Sequence, residues 1–171
     1  MFEDFDNASG RRIAFYQQIG KNVMESPLMG RLMRLCGIRL ISAYAILASI
    51  GDINRFECPK ELVSYFGLAP RVRQSGLSTR TGGVGDEGRR DVRAVLTQAA
   101  YSVLKSKNES GKKLKEWALK LKARKHLHLV ISAIARKIAV AVWYALKGFI
   151  PEILDAEKEL NAKLKGRRGT L

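Results

Sequence analysis

The sequence predicts an all-α fold, a helical domain containing a helix-hairpin-helix and a Gly/Arg-rich basic loop. Three observations predict it. Apolar residues recur at three- and four-residue spacing along most of the chain. Glycines and prolines fall between these apolar runs. No segment alternates apolar and polar residues as a half-buried strand does. The 171 residues, 46% of them hydrophobic, suffice for one domain with a sizeable core.

Taken in order, Ile13, Tyr16, Gln17 and Ile19 mark a helix over about residues 10–24, within an N-terminal helical segment 1–26. Ser26-Pro27 offers an N-cap residue before a proline whose fixed φ suits a first helical turn. A short helix follows to Leu35, with Leu28, Leu32 and Leu35 in register. Gly37 interrupts it, and a second apolar helix runs from about Leu40 to Ile50, ended by Gly51. Pro59 opens another, carrying Leu62, Val63 and Phe66 and stopped by Gly67 and Pro70.

Residues 71–90 hold many glycines and arginines and no apolar period, and read as a cationic loop. Helix resumes near Asp91 through Leu104 and breaks at Asn108 to Gly111. A basic amphipathic helix then carries Leu114, Trp117 and Leu121 inward. Leu127 to Leu146 is apolar nearly all round and is the expected central core helix. Gly148 and Pro151 end it, and the remainder, 151–171, reads as a last helix with a basic tail.

The charge narrows the partners. Lys and Arg number 31 against 16 Asp and Glu, a net +15 with a pI near 10.2. Such a field concentrates polyanions, and nucleic acid leads because neutralised phosphates release counterions. An anionic membrane surface ranks second and ribosomal RNA third. A membrane span is disfavoured: the most apolar stretch carries Arg136 and Lys137 near its middle, costly at a bilayer centre. Cys36 and Cys58 have no metal or disulfide spacing around them and read as reduced thiols in a cytoplasmic protein. The acidic N-terminus lacks the order of a signal peptide.

Five constellations are candidates for chemistry. Residues 27–51 have the layout of a helix-hairpin-helix, whose turn (Cys36-Gly37-Ile38-Arg39) would hold a phosphate on backbone N–H groups, with Arg39 adding charge. An ordinary αα-hairpin has the same layout, and this segment alone does not separate the two. Ser75 stands before Gly76 among Arg71, Arg73 and Arg80, where a nucleophilic serine would find backbone freedom and cations. Ser78 and Thr79 compete with it, and composition alone favours a phosphate contact or a solvated hydroxyl. Gly83 to Gly88 matches GxGxxG, but no predicted strand leads into it, so the dinucleotide reading fails its context. Arg89, Arg90 and Arg93 could line a DNA-facing side of the next helix or simply a solvated one. His126 and His128 lack a third ligand and read as polar helix-start residues, with no metal bound by this chain. Trp117 and Trp143 sit at core positions.

Leu35-Cys36-Gly37-Ile38, the run Ala43 to Gly51-Asp52-Ile53, and Arg55-Phe56 are followed by Leu62 to Pro70 with Phe66-Gly67-Leu68-Ala69-Pro70. Then come Gln74-Ser75-Gly76, Gly88, Val92 to Leu96 and Gln98-Ala99-Ala100. This order resembles the C-terminal domain of the insertion-sequence one-ten family, transposases that pair a RuvC-like DEDD domain with a catalytic serine domain. The resemblance implies a transposase C-terminal domain over 27–150, with the hairpin at 27–51, the serine loop at 71–90 and core helices at 91–148.

It also implies that Ser75 is the catalytic serine, attacking a DNA phosphate to become joined to the cut strand. Gly37, Arg39, Arg71, Arg73, Gly76, Arg80, Arg89, Arg90 and Arg93 are the expected DNA-binding residues. The usual Pro-Gly-Ile-Gly hairpin is Cys36-Gly37-Ile38-Arg39 here. The DEDD domain, with its carboxylates and Mg2+, is expected N-terminal to this chain, which reads as a truncated or split copy. DNA, a guide RNA, and a DEDD domain or a second copy are the implied partners. The alternative is a non-enzymatic helix-hairpin-helix protein that binds DNA or RNA.

Overall fold

A computed structural model describes Gly10, Arg11, Ala14 and residues 26–75, 78–84, 88–106 and 111–149. The expected helices over most of 10–24 and over 151–163 lie outside the described residues.

Among these residues the core is built mainly from helices, as expected, with Leu35, Ile38, Phe56, Phe66 and Leu68 added from the connections. Helix α1 spans Pro27–Met33 and α2 spans Leu40–Ile50. A short 3-10 turn, Ile53–Arg55, leads to α3, Pro59–Tyr65. Then come α4 (Arg90–Lys105), α5 (Lys112–Lys122) and α6 (Leu127–Leu146). Pro27 and Pro59 occupy first turns, where a missing N–H costs nothing. Helix α1 stops two residues short of Leu35. Arg34 and Leu35 donate to the carbonyls three residues back, which tightens the end.

The cationic segment is not the loop that its composition predicts. Strands β1 (Pro70–Ser75) and β2 (Ser78–Val84) pair antiparallel, with Arg73 opposite Arg80 and Ser75 opposite Ser78. The register shifts between Pro70 and Val72. Backbone groups make the ladder, so it forms without the apolar alternation that marks a strand packed on a core. Val72, Thr79, Thr81 and Val84 are its β-branched residues.

Helix α6 is the hub. It packs against α1, α3, α4 and α5, burying Val130, Ile131, Ile134, Ala135, Ile138, Ala139, Ala141, Val142, Ala145 and Leu146. By length and composition it could cross a membrane, yet 56% of its most apolar window is buried inside the domain. Its two cations are engaged at the helix surface: Lys137 lies 4.7 Å over the Trp117 ring, and Arg136 reaches a backbone carbonyl. Trp143 donates its Nε1–H to the Phe56 carbonyl at 3.2 Å. Both tryptophans are half-buried packing residues, as their positions predict. Cys36 is buried and Cys58 half-buried, and the two are not joined in a disulfide.

Candidate functional site

The chain enters the hairpin through Phe66-Gly67-Leu68-Ala69-Pro70. Phe66 and Leu68 are buried, and Gly67 between them has φ +65°, a value that side-chain-bearing residues rarely adopt. The chain leaves past Gly88, at φ +89°, which lies directly against Gly67. A Cβ on Gly88 would stand 2.5 Å from the Gly67 nitrogen and 2.7 Å from its Cα. Two glycines thus pinch the base of the hairpin.

Three arginines hold the same base. The Arg89 N–H donates to the Tyr65 carbonyl at 3.1 Å. Arg93, from α4, donates to the Gly67 carbonyl at 3.2 Å, and Arg136, from α6, to the Leu68 carbonyl at 3.1 Å. These carbonyls lie at or just past the end of α3, where no helical N–H is left to serve them. An isolated two-stranded hairpin is marginal in water, so such anchorage matters to its orientation.

The Arg89 side chain has its own partners. It grips Asp91 with two hydrogen bonds, 3.0 Å from Nε and 2.7 Å from Nη2. It also donates to the Tyr65 hydroxyl at 3.4 Å and the Ser49 hydroxyl at 3.3 Å. Tyr65 in turn donates to the Ser49 carbonyl at 2.9 Å. The bidentate bond to Arg89 is the main reason that the Asp91 carboxyl falls from 3.8 to about 2. Asp91 and Tyr65 in return raise the Arg89 guanidinium further above its usual range. The two side chains remain 44% and 58% exposed, so solvent screens the pair.

The sequence-predicted residues therefore separate. Ser75 ends β1, and Arg71, Arg73 and Arg80 lie on the two strands with it; Gly76 lies outside the described residues. Arg89 and Arg93 meet protein carbonyls and carboxylates at the hairpin base, while Arg90 is exposed. Arg39 is exposed at the start of α2, where its N–H donates to the Ser42 hydroxyl at 3.0 Å. Gly37 has φ +78° and sits against α4, where a Cβ would come 2.6 Å from the Ala99 carbonyl oxygen. Around it Leu35, Cys36 and Ile38 are buried. Sequence reasoning missed Arg136 and Tyr65; their partners lie far along the chain, and no local pattern signals them. Among the described residues no three His, Cys, Asp or Glu side chains gather as a metal site. His126 and His128 are exposed and stack on each other.

The structure thus defines a helical domain with a two-stranded β-hairpin, carrying Ser75 and several arginines, set between α3 and α4. The family model described as "Transposase IS116/IS110/IS902 family" matches residues 29–116, which include the whole hairpin and its base. The chain belongs to this transposase family. It is 27% identical to a "Probable family 20 transposase" of Pseudomonas aeruginosa over 84% of this chain and 43% of that protein. It is 30% identical to the "Transposase for insertion sequence element IS1111A" of Coxiella burnetii, over 68% of this chain and 32% of that one. With a "Pilin gene-inverting protein" of Moraxella bovis it shares 35% identity over 59% of this chain and 31% of the relative. The chain thus spans less than half the length of these relatives.

Proposed function

We propose that this chain is the DNA-binding, serine-presenting part of an insertion-sequence transposase, acting in DNA recombination in the bacterial cytoplasm. The observation that carries the reading is Ser75 at the end of β1, inside the family-matched residues, on a hairpin whose base is fixed to the helical core. The names of the relatives, transposases and a gene-inverting protein, support rearrangement of DNA as the task.

In this reading the Ser75 oxygen attacks a backbone phosphorus. A serine–phosphate ester forms, the bond from phosphorus to a deoxyribose oxygen breaks, and that oxygen takes up a proton. The strand ends joined to the protein, and energy of the phosphodiester is kept for rejoining. Arg71, Arg73 and Arg80 share the hairpin with Ser75 and supply positive charge for the phosphate oxygens. A serine hydroxyl is a weak nucleophile until its proton is removed. In this reading a DEDD domain, as the family resemblance implies, carries out that step. That domain's carboxylates would hold Mg2+, which supplies Lewis-acid activation. A guide RNA and a second copy of the chain complete the proposed assembly.

The test supplies the chain with a DEDD domain, a guide RNA and duplex DNA, and looks for a covalent protein–DNA adduct on a denaturing gel. An adduct lost in Ser75→Ala and kept in Ser78→Ala is expected. An adduct that survives Ser75→Ala overturns the assignment.

A further inference from the structure

The cations expected to face DNA at the start of α4 are partly engaged within the protein. Arg89 grips Asp91, and Arg93 meets the Gly67 carbonyl. Among the described residues a dense positive surface lies elsewhere, along α5 and the turn into α6. Residues 112–128 hold Lys112, Lys113, Lys115, Lys120, Lys122, Arg124 and Lys125 against one acid, Glu116. All of these cations but Lys115, which bonds the Ser106 carbonyl, are exposed, as are His126 and His128. Packing does not account for them: α5 buries Leu114 and Ala118 on its other side. Favourable placement at a helix C-terminus explains cations in the last turn, where Lys120 and Lys122 lie, but not those at the helix start.

We infer that this corner is a second docking surface, for the phosphate backbone of duplex DNA. The inference rests on the DNA-binding reading above. Helix α5 has 11 residues and is about 16 Å long, the rise of roughly five base pairs. Its outer cations are lysines, point charges that suit phosphates without reading bases. Single-stranded RNA is usually held by exposed aromatic faces. Here Lys137 covers Trp117, and the two histidine rings stack on each other at 6.0 Å. The exposed Leu119, Leu127 and Leu129 make anionic lipid the competing occupant that the experiment must exclude.

The test measures binding of the full chain to a duplex of arbitrary sequence by fluorescence anisotropy across a salt series. Lys120→Glu/Arg124→Glu/Lys125→Glu is compared with wild type, with the three glutamine substitutions as a milder version and Lys60→Glu, on α3, as control. The triple variants should bind at least about tenfold more weakly at low salt, and the logarithmic salt slope should shrink by about 2–3. The Lys60 control should change both far less. If wild type binds and the triple variants bind equally well, the corner is not a docking surface, while the DNA-binding reading stands. If wild type fails to bind at low salt, both fall. Tighter binding to single-stranded RNA of equal length overturns the assignment to duplex DNA. So does loss of binding to phosphatidylserine vesicles with DNA binding intact.

Discussion

Replacing Gly88 by alanine should be among the most damaging single-methyl changes this domain can suffer. Two costs add. The φ of +89° disfavours any side chain, by about 1–2 kcal/mol. The new Cβ would also stand 2.5 Å from the Gly67 nitrogen, 2.7 Å from its Cα and 2.9 Å from the Tyr65 oxygen. All three are backbone atoms, and Arg89, Arg93 and Arg136 hold the same stretch in place. Overpacking of that kind costs about 1–3 kcal/mol. The sum, about 2–5 kcal/mol, corresponds to a fall in Tm of about 5–15 °C for a protein of this size.

Other glycines calibrate the estimate. Gly51 has φ +64° and open space around it, so Gly51→Ala isolates the backbone cost. Gly30 lies inside α1 with nothing near its added Cβ and no positive φ, so Gly30→Ala should stabilise by about 0.5–1 kcal/mol. Thermal unfolding followed by circular dichroism orders the three variants. If Gly88→Ala costs no more than Gly51→Ala, the hairpin base is not pinched and the account of its anchorage is wrong.

Three further outcomes follow from the same geometry. Arg136→Met keeps the length of the side chain but leaves the Leu68 carbonyl without its donor, and urea unfolding should show a loss of about 1–2 kcal/mol. Ile134→Ala, at a fully buried position of α6, should lose about 2–5 kcal/mol in the same assay. The third outcome concerns pH. The folded carboxyl of Asp91 titrates near 2 against an ordinary 3.8, so its contribution to stability is complete above about pH 4 and lost as pH falls through 2. The difference in Tm between wild type and Asp91→Asn should therefore stay level above pH 4 and close toward pH 2. A gap that widens in acid would contradict the pairing with Arg89.

Much of the architecture was legible in local signals. Leu40 to Ile50 and Leu127 to Leu146 have the ends that their apolar runs and flanking residues predict, because helix bonds join residues four apart. The short helices begin at Pro27 and Pro59, because a first-turn residue needs no N–H and proline's φ already suits a helix. The order of residues around Gln74-Ser75-Gly76 also placed the chain in its family.

The hairpin was not legible. Its ladder joins backbone groups of residues whose composition, rich in glycine and arginine, resembles a loop, and it needs no apolar stripe. Nor could the sequence divide its arginines by task. Residues 71–93 read as a row of equivalent cations, yet Arg89 and Arg93 are drawn to carbonyls and a carboxylate at the hairpin base. Arg136, 68 positions beyond Leu68 and set in a core helix, joins them there. Gly37 and Gly88 are likewise fixed by distant backbone, the Ala99 carbonyl for one and Gly67 for the other. Sequence determined which residues are helical and which are charged, since both depend on near neighbours. Which carbonyl each arginine meets, and which glycine has no room for a methyl group, depends on segments that only folding brings within 4 Å, and those the tertiary structure decided.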